Sequence, residues 1–204
     1  MTNKKLILID VDGVLSIERP VSPEKWELGH ISYADNYSGT LKTNIPNKKT
    51  QYRTHTYRPE IIASLDSLVS NYDVEIKFLT NWGAAAKDIF AVYVGSKFIS
   101  AMDADAKELG VPTILEAPSP IHWYKAQAVL REANERGREV LFIDDLINTE
   151  LALEFSKLLP ENAGWLKVDP RTGLTPEWIQ RIMVWAAGGP VSYTHLTLPT
   201  NREV

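Results

Sequence analysis

The chain contains no cysteine, and that single absence removes disulfide frameworks, thiolate metal centres and cysteine nucleophiles together. It has no apolar run long enough to cross a bilayer. The basic start MTNKKLILID is followed by too short an apolar stretch for a secretory leader, so the sequence reads as cytoplasmic, without a membrane partner. Histidines are few, and His30, His55, His122 and His195 are scattered without metal-ligand spacing. Positive charge is not in excess either. The formal net charge of −4 argues against a dedicated nucleic-acid binder, although a local basic patch is compatible with it. What is present, 204 residues of which 44% are hydrophobic, suffices for one domain with a real core.

Apolar runs rich in β-branched residues alternate with helical patterns. KKLILID (4–10) is continuously apolar and reads as a strand buried on both faces. PEIIASLDSLVSNY (59–72) opens on proline and carries apolar residues at helical spacing. VEIKFLT (74–80) is the next strand and GAAAKDIFAVY (83–93) the next helix. WYKAQAVLREANERG (123–137) is a helix closed by Gly137. EVLFID (139–144) and GWLKVD (164–169) are strands. TPEWIQRIMVWAA (175–187) is a helix with Thr175 at its N-cap and Pro176 in its first turn. Strand–helix alternation predicts an α/β fold with a mostly parallel sheet covered on both faces. Ligands bind such sheets at the carboxyl ends of the strands. Asp10, Thr80 and Asp144 each end a predicted strand.

Residues 16–58 fit this scheme poorly. The stretch SGTLKTNIPNKKTQYRTHTYR has no acid, but carries Lys42, Lys48, Lys49, Arg53 and Arg58 with interleaved tyrosines, and NIPNKKT suits a turn. A small β-hairpin insertion over the strand ends is expected. Its basic 42–58 portion either holds a phosphate backbone at RNA or DNA ends or is a solvated face that guards an edge strand. A single domain is expected over 1–187. Residues 188–204 follow a Gly-Gly-Pro break, and VSYTHLTLPT resembles a translated sequencing adapter, so they are expected to be an unstructured tail without function.

Two carboxylates at i and i+2 after a buried strand repel each other, and one would take up a proton unless a cation separated them. A hard divalent cation with oxygen ligands, Mg²⁺ above all, answers that repulsion. The pair Asp144–Asp145 ends another strand and can complete such a site.

These elements carry a resemblance. LILIDVDGVL resembles the first motif of the haloacid dehalogenase superfamily of phosphotransferases, a strand followed by D-x-D-G. FLTNWG (78–83) is similar to the second motif, Lys125 to the third and LFIDDLINTE (141–150) to the fourth, in the right order. The Thr-x-Trp near the second motif, the Trp-x-Lys at the third and the closing VDPRTGLTPEW resemble, more narrowly, the domain of this superfamily found in "Swiss army knife" RNA-repair proteins. The resemblance implies a Rossmannoid three-layer sandwich, a small insertion in place of a large cap, and Mg²⁺-dependent hydrolysis of phosphomonoesters. It also implies roles. Asp10 would be the nucleophile that forms an aspartyl-phosphate, and Asp12 the general acid and base. Thr80 and the Asn81 N–H would hold phosphoryl oxygens, and Lys125 would neutralise charge. Mg²⁺ would be held by Asp10, the Asp12 carbonyl and Asp144 or Asp145.

Several alternatives stand beside these roles. Lys87 and Lys107 rival Lys125. Asn148 orients a ligand or caps a helix, and Trp82 and Trp123 wall a pocket or fill the core. A receiver-type signalling module fits less well, because it keeps a lone phosphoacceptor on its third strand. The competing functions are hydrolysis of free nucleotides or small phosphometabolites, and an inactive scaffold that only binds. The intact set of acids and Lys125 weighs against the last.

Overall fold

The computed structural model describes residues 4–17, 29–35, 51–80, 86, 94–96, 100–101, 124–145 and 149–189; for 29–35, 51–55, 100–101 and 149–153 it describes the backbone alone. The strands are β1 (Lys5–Ile9), β2 (Ser16–Ile17), β3 (Gly29–Asp35), β4 (Gln51–Tyr57), β5 (Val74–Phe78), β6 (Ser100–Ala101), β7 (Val140–Asp144) and β8 (Ala163–Lys167). The helices are α1 (Pro59–Asn71), α2 (Tyr124–Leu130), α3 (Thr149–Leu158) and α4 (Pro176–Ala186).

Five strands form one sheet in the order β6-β5-β1-β7-β8, and every pairing in it is parallel. This is the α/β architecture that the alternation of patterns predicts. β1 lies in the middle because it is apolar on both faces. Ile7 and Ile9 pack on one side with Ile61, Leu65 and Leu68 of α1 and Ile179, Ile182 and Trp185 of α4. Leu6 and Leu8 pack on the other side with Ala126, Ala128 and Val129 of α2 and Phe155 of α3. Alternation of side chains along a strand divides one apolar run between two helical layers.

Helix boundaries follow local chemistry. Pro59 and Pro176 occupy the first turns of α1 and α4, where no N–H partner is needed. Thr175 is the N-cap of α4 by position, but its hydroxyl caps no backbone N–H. α2 continues as a π-helical segment over Arg131–Glu135 and stops at Gly137, whose φ of 59° suits a chain reversal. Of the helix expected over 83–93 only Ala86 is among the described residues, and the turn NIPNKKT and residues 190–204 of the expected tail 188–204 lie outside them.

A second, three-stranded sheet has the order β2-β4-β3. β3 and β4 pair antiparallel from Gly29↔Tyr57 to Asp35↔Gln51, which is the hairpin expected within the insertion. Short β2 joins it through Ser16↔Tyr57, so the turn after β1 leads directly into this sheet.

An ion-pair network closes the amino-terminal end of the main sheet. Arg138 donates to Glu75 of β5 at 2.7 Å and to the Lys4 carbonyl at 3.0 Å. Arg136 holds the buried Glu132 at 2.6 Å.

Candidate active site

At the opposite end of the sheet, the carboxyl ends of β1 and β7 are adjacent strand ends on either side of a change in chain direction. From β1 the chain builds outward through β5, then returns to build through β7 on the other flank. Such a switch point opens a crevice above the strand ends.

Asp10 and Asp144 flank this crevice. Asp10 is buried, and its Oδ1 accepts a hydrogen bond from the Val11 N–H at 2.7 Å. Its Oδ2 lies 2.6 Å from Lys125 Nζ, and the same ammonium lies 2.6 Å from Asp144 Oδ2. Lys125 is 1% exposed. It reaches the strand ends from the first turn of α2, where the apolar neighbours of that helix seat it against the sheet. Burial alone would lower its pKa, but the charges of Asp10 and Asp144 outweigh this and hold it above the ordinary lysine value. Beside it, burial raises the Tyr124 hydroxyl.

Asp145 completes the group. Carboxylate oxygens of Asp10, Asp144 and Asp145 all lie within 4.8 Å of one another. Burial first, and then the charges of Asp144 and Asp10, push the Asp145 carboxyl up to about 7, against the lowering effect of Lys125. Gly13 makes room for it. The glycine has a φ of 71°, and a Cβ at this position would overlap the Asp145 carboxylate. Both the backbone conformation and the close approach therefore require glycine.

Asp12 stands in the turn that follows β1 and is not among the three clustered carboxylates. The turn is tightly bonded: the Leu15 and Ser16 N–H groups donate to the Val11 carbonyl at 2.9 and 2.8 Å, and Gly13 N–H donates to Ser16 O at 2.8 Å. Thr80 is buried two residues beyond β5, and Leu79 N–H donates to the Ile9 carbonyl at 2.8 Å, tying that segment to the end of β1. Asn81, Trp82, Lys87, Lys107, Trp123 and Asn148 lie outside the described residues. The structure thus unites Asp10, Lys125, Asp144 and Asp145, with Asp12 and Thr80 on the flanking segments.

Arg58 departs from its reading as part of a basic face. It is buried, and its Nη1 donates to the carbonyls of Thr172 at 2.5 Å and Leu174 at 2.7 Å. Burial lowers its pKa, opposed by the charges of Glu60 and Glu177. Tyr57 packs against the core. The signal for both was their place immediately before Pro59, where the chain enters a buried helix.

No family model matches this sequence. No curated protein matches it either. Among solved structures it is similar to a 3-deoxy-D-manno-octulosonate 8-phosphate phosphatase from Moraxella catarrhalis, crystallised with magnesium ion, phosphate ion and KDO. The two are 16% identical, the match covers 90% of this chain and 87% of that chain, and the TM-score is 0.43.

Proposed function

We propose that the chain is a Mg²⁺-dependent phosphomonoesterase of the haloacid dehalogenase type, working through an aspartyl-phosphate on Asp10. The observation that carries this reading is the Lys125 ammonium held between Asp10 and Asp144, with Asp145 alongside, at the switch point of a parallel sheet. Three carboxylates against one ammonium leave net negative charge in a mostly buried place, where burial, reinforced by the charges of Asp144 and Asp10, raises the Asp145 carboxyl. A hard cation with oxygen ligands fits this donor set.

Asp10 would hold the metal with the Asp12 carbonyl and Asp144 or Asp145. Lys125 engages one oxygen of Asp10 and one of Asp144 alike, so that contact does not choose between the last two. Its place directly after the strand favours Asp144, whereas alignment of DDLIN on the related G-D-x-x-N form favours Asp145. Bound there, Mg²⁺ would screen the negative charge of a phosphoryl group.

The protein groups account for the bond changes. An Asp10 oxygen forms a bond to phosphorus as the ester P–O bond breaks, and Asp12 gives a proton to the leaving oxygen. Asp12 then takes a proton from water, whose oxygen attacks phosphorus, breaks the Asp10–phosphorus bond and frees phosphate. Lys125 fixes the Asp10 carboxylate and opposes charge built up on the transferring group. The Thr80 hydroxyl and the Asn81 N–H hold phosphoryl oxygens.

For substrate we favour the phosphate termini of RNA or DNA, on the strength of Lys42, Lys48, Lys49, Tyr52 and Arg53 in the basic 42–58 sequence and of the resemblance to repair proteins. Tyr57 and Arg58 are engaged by the core and the 172–174 carbonyls. The test compares such ends with mononucleotides and sugar phosphates in Mg²⁺. Asp10→Asn should abolish turnover, and unchanged turnover in that variant would refute the mechanism. Reversing charge at Lys48, Lys49 and Arg53 should raise KM for nucleic-acid ends alone. Activity confined to small metabolites and indifferent to these reversals would reject the substrate.

A further inference from the structure

The segment that follows β8 is a strap between the two acidic strand ends. At its start, Val168 N–H donates to the Asp144 carbonyl at 3.2 Å, and at its end Leu174 N–H donates to the Val14 carbonyl at 2.8 Å. One run of seven residues thereby touches the backbone of Asp144 and the backbone of the Asp12 turn. Its own shape is fixed by Asp169, whose carbonyl accepts from Thr172 N–H at 2.9 Å and Gly173 N–H at 2.7 Å. Gly173 has a φ of 60°, and a Cβ there would stand 2.5 Å from the Val14 carbonyl oxygen. The strap therefore lies flush on the turn that presents Asp12.

Arg58 closes the circuit. The Asp12 turn runs into β2, and Ser16 pairs with Tyr57, the residue before Arg58. From there the guanidinium reaches the carbonyls of Thr172 and Leu174. Turn, β2–β4 pairing, Arg58, strap and Val14 form a closed ring of hydrogen bonds around the segment 12–16. Both bonds come from Nη1, whose two N–H groups can serve the two carbonyls at once.

We propose that Arg58 is a positioning residue that sets the placement of Asp12 relative to the Asp10–Lys125–Asp144 group by clamping the strap onto the catalytic turn. The inference rests on the phosphatase reading for its kinetic consequence, but not for its structural one. Asp12 must meet the leaving oxygen while Asp10 meets phosphorus on the opposite side. Small displacements of such groups cost rate more than binding. Removing the clamp leaves every reacting side chain in the protein and loosens only the turn that aims one of them.

The experiment compares Arg58→Met, Arg58→Lys and, as a control destabilised elsewhere, Arg138→Gln at the far end of the sheet. Amide hydrogen exchange reads the clamp without any substrate. In Arg58→Met, exchange at Leu174 and over 13–16 should accelerate at least about 10-fold while amides of β1 and β7 keep their protection. The control should not show this local pattern. Kinetics on an aryl phosphate, too small to reach the hairpin, should show kcat reduced about 10- to 100-fold in Arg58→Met with KM within about 2-fold. Arg58→Lys, which keeps a donor, should recover part of the loss. Unaltered exchange at Leu174 and 13–16 would overturn the clamp. Local loosening with kcat per folded molecule unchanged would overturn its positioning role. An inactive wild-type protein with the local exchange pattern intact would refute the phosphatase reading and leave the clamp standing.

Discussion

Lys125 makes two short ion pairs while almost wholly withdrawn from water, so its removal has two separable effects. Lys125→Met strands Asp10 and Asp144 as uncompensated buried carboxylates. Breaking buried pairs of this kind costs about 3–5 kcal/mol. The melting temperature in EDTA should therefore fall well below that of the wild type, and Mg²⁺ should restore part of it. On the proposed mechanism kcat should drop about 10²–10³-fold, the scale of losing one preorganised charge at a transition state. Asp145 gives a pH signature. Its carboxyl titrates at about 7 in the folded protein, against an ordinary aspartate value of 3.8. Between those values the folded state keeps a proton that the unfolded chain has released. The contribution of this group thus makes metal-free protein less stable as pH rises through that window. A bound cation would favour the ionised carboxylate and so oppose the shift that burial and the neighbouring charges produce. Melting curves at pH 5, 6, 7 and 8 should show the Mg²⁺-induced rise in melting temperature growing with pH, and a rise that shrinks with pH would contradict this account of the cluster.

Among the secondary elements, α1 illustrates stability without chemistry. Leu65 is fully buried in the apolar cluster that α1 shares with the sheet and α4. Leu65→Ala should cost about 2–5 kcal/mol by denaturant titration and leave kcat within about 2-fold. This helix was legible in the sequence almost to the residue, since Pro59 starts it and its apolar spacing declares one buried face. Strands β1 and β7 were legible for a related reason, continuous apolar runs that end on polar residues, and β5 through its alternation of apolar and charged residues. The continuation of α2 as a π-helical segment was not legible. Its residues suit a helix of either winding, and only hydrogen-bond geometry distinguishes the two. Nor was the strap, because nothing in VDPRTGL states which distant carbonyls it will meet.

For the molecule as a whole, the sequence placed Asp10, Thr80 and Asp144 at one edge by a rule about parallel sheets. The structure adds the strand order that puts the first and last of them on neighbouring strands. It also places Lys125 between Asp10 and Asp144, which sequence could not do because helix-borne lysines look alike until packed; its rivals Lys87 and Lys107 lie outside the described residues. The role of Arg58 was hidden for the converse reason. A basic residue in a basic stretch reads as surface, and its burial depends on a loop that lies 114 residues away. Chelation tests the assembly as a unit. EDTA should lower the melting temperature of the wild type, and Mg²⁺ should raise it with its concentration as a single-site ligand does. An Asp10→Asn/Asp145→Asn double variant should show no such dependence.

The central place of β1 has a consequence for synthesis. Among the described strands, β1 is made before the others and needs partners on both sides, and Asp10 meets Lys125 across 115 residues of chain. A nascent chain that has emerged only as far as β5 can pair one edge of β1, while the edge that β7 will cover remains open. Four consecutive apolar residues, Leu6 to Ile9, stand along that edge until then. Unpaired apolar edges recruit other chains. The strand that brings Asp10 to the centre of the fold is also the one most at risk of mispairing on the ribosome.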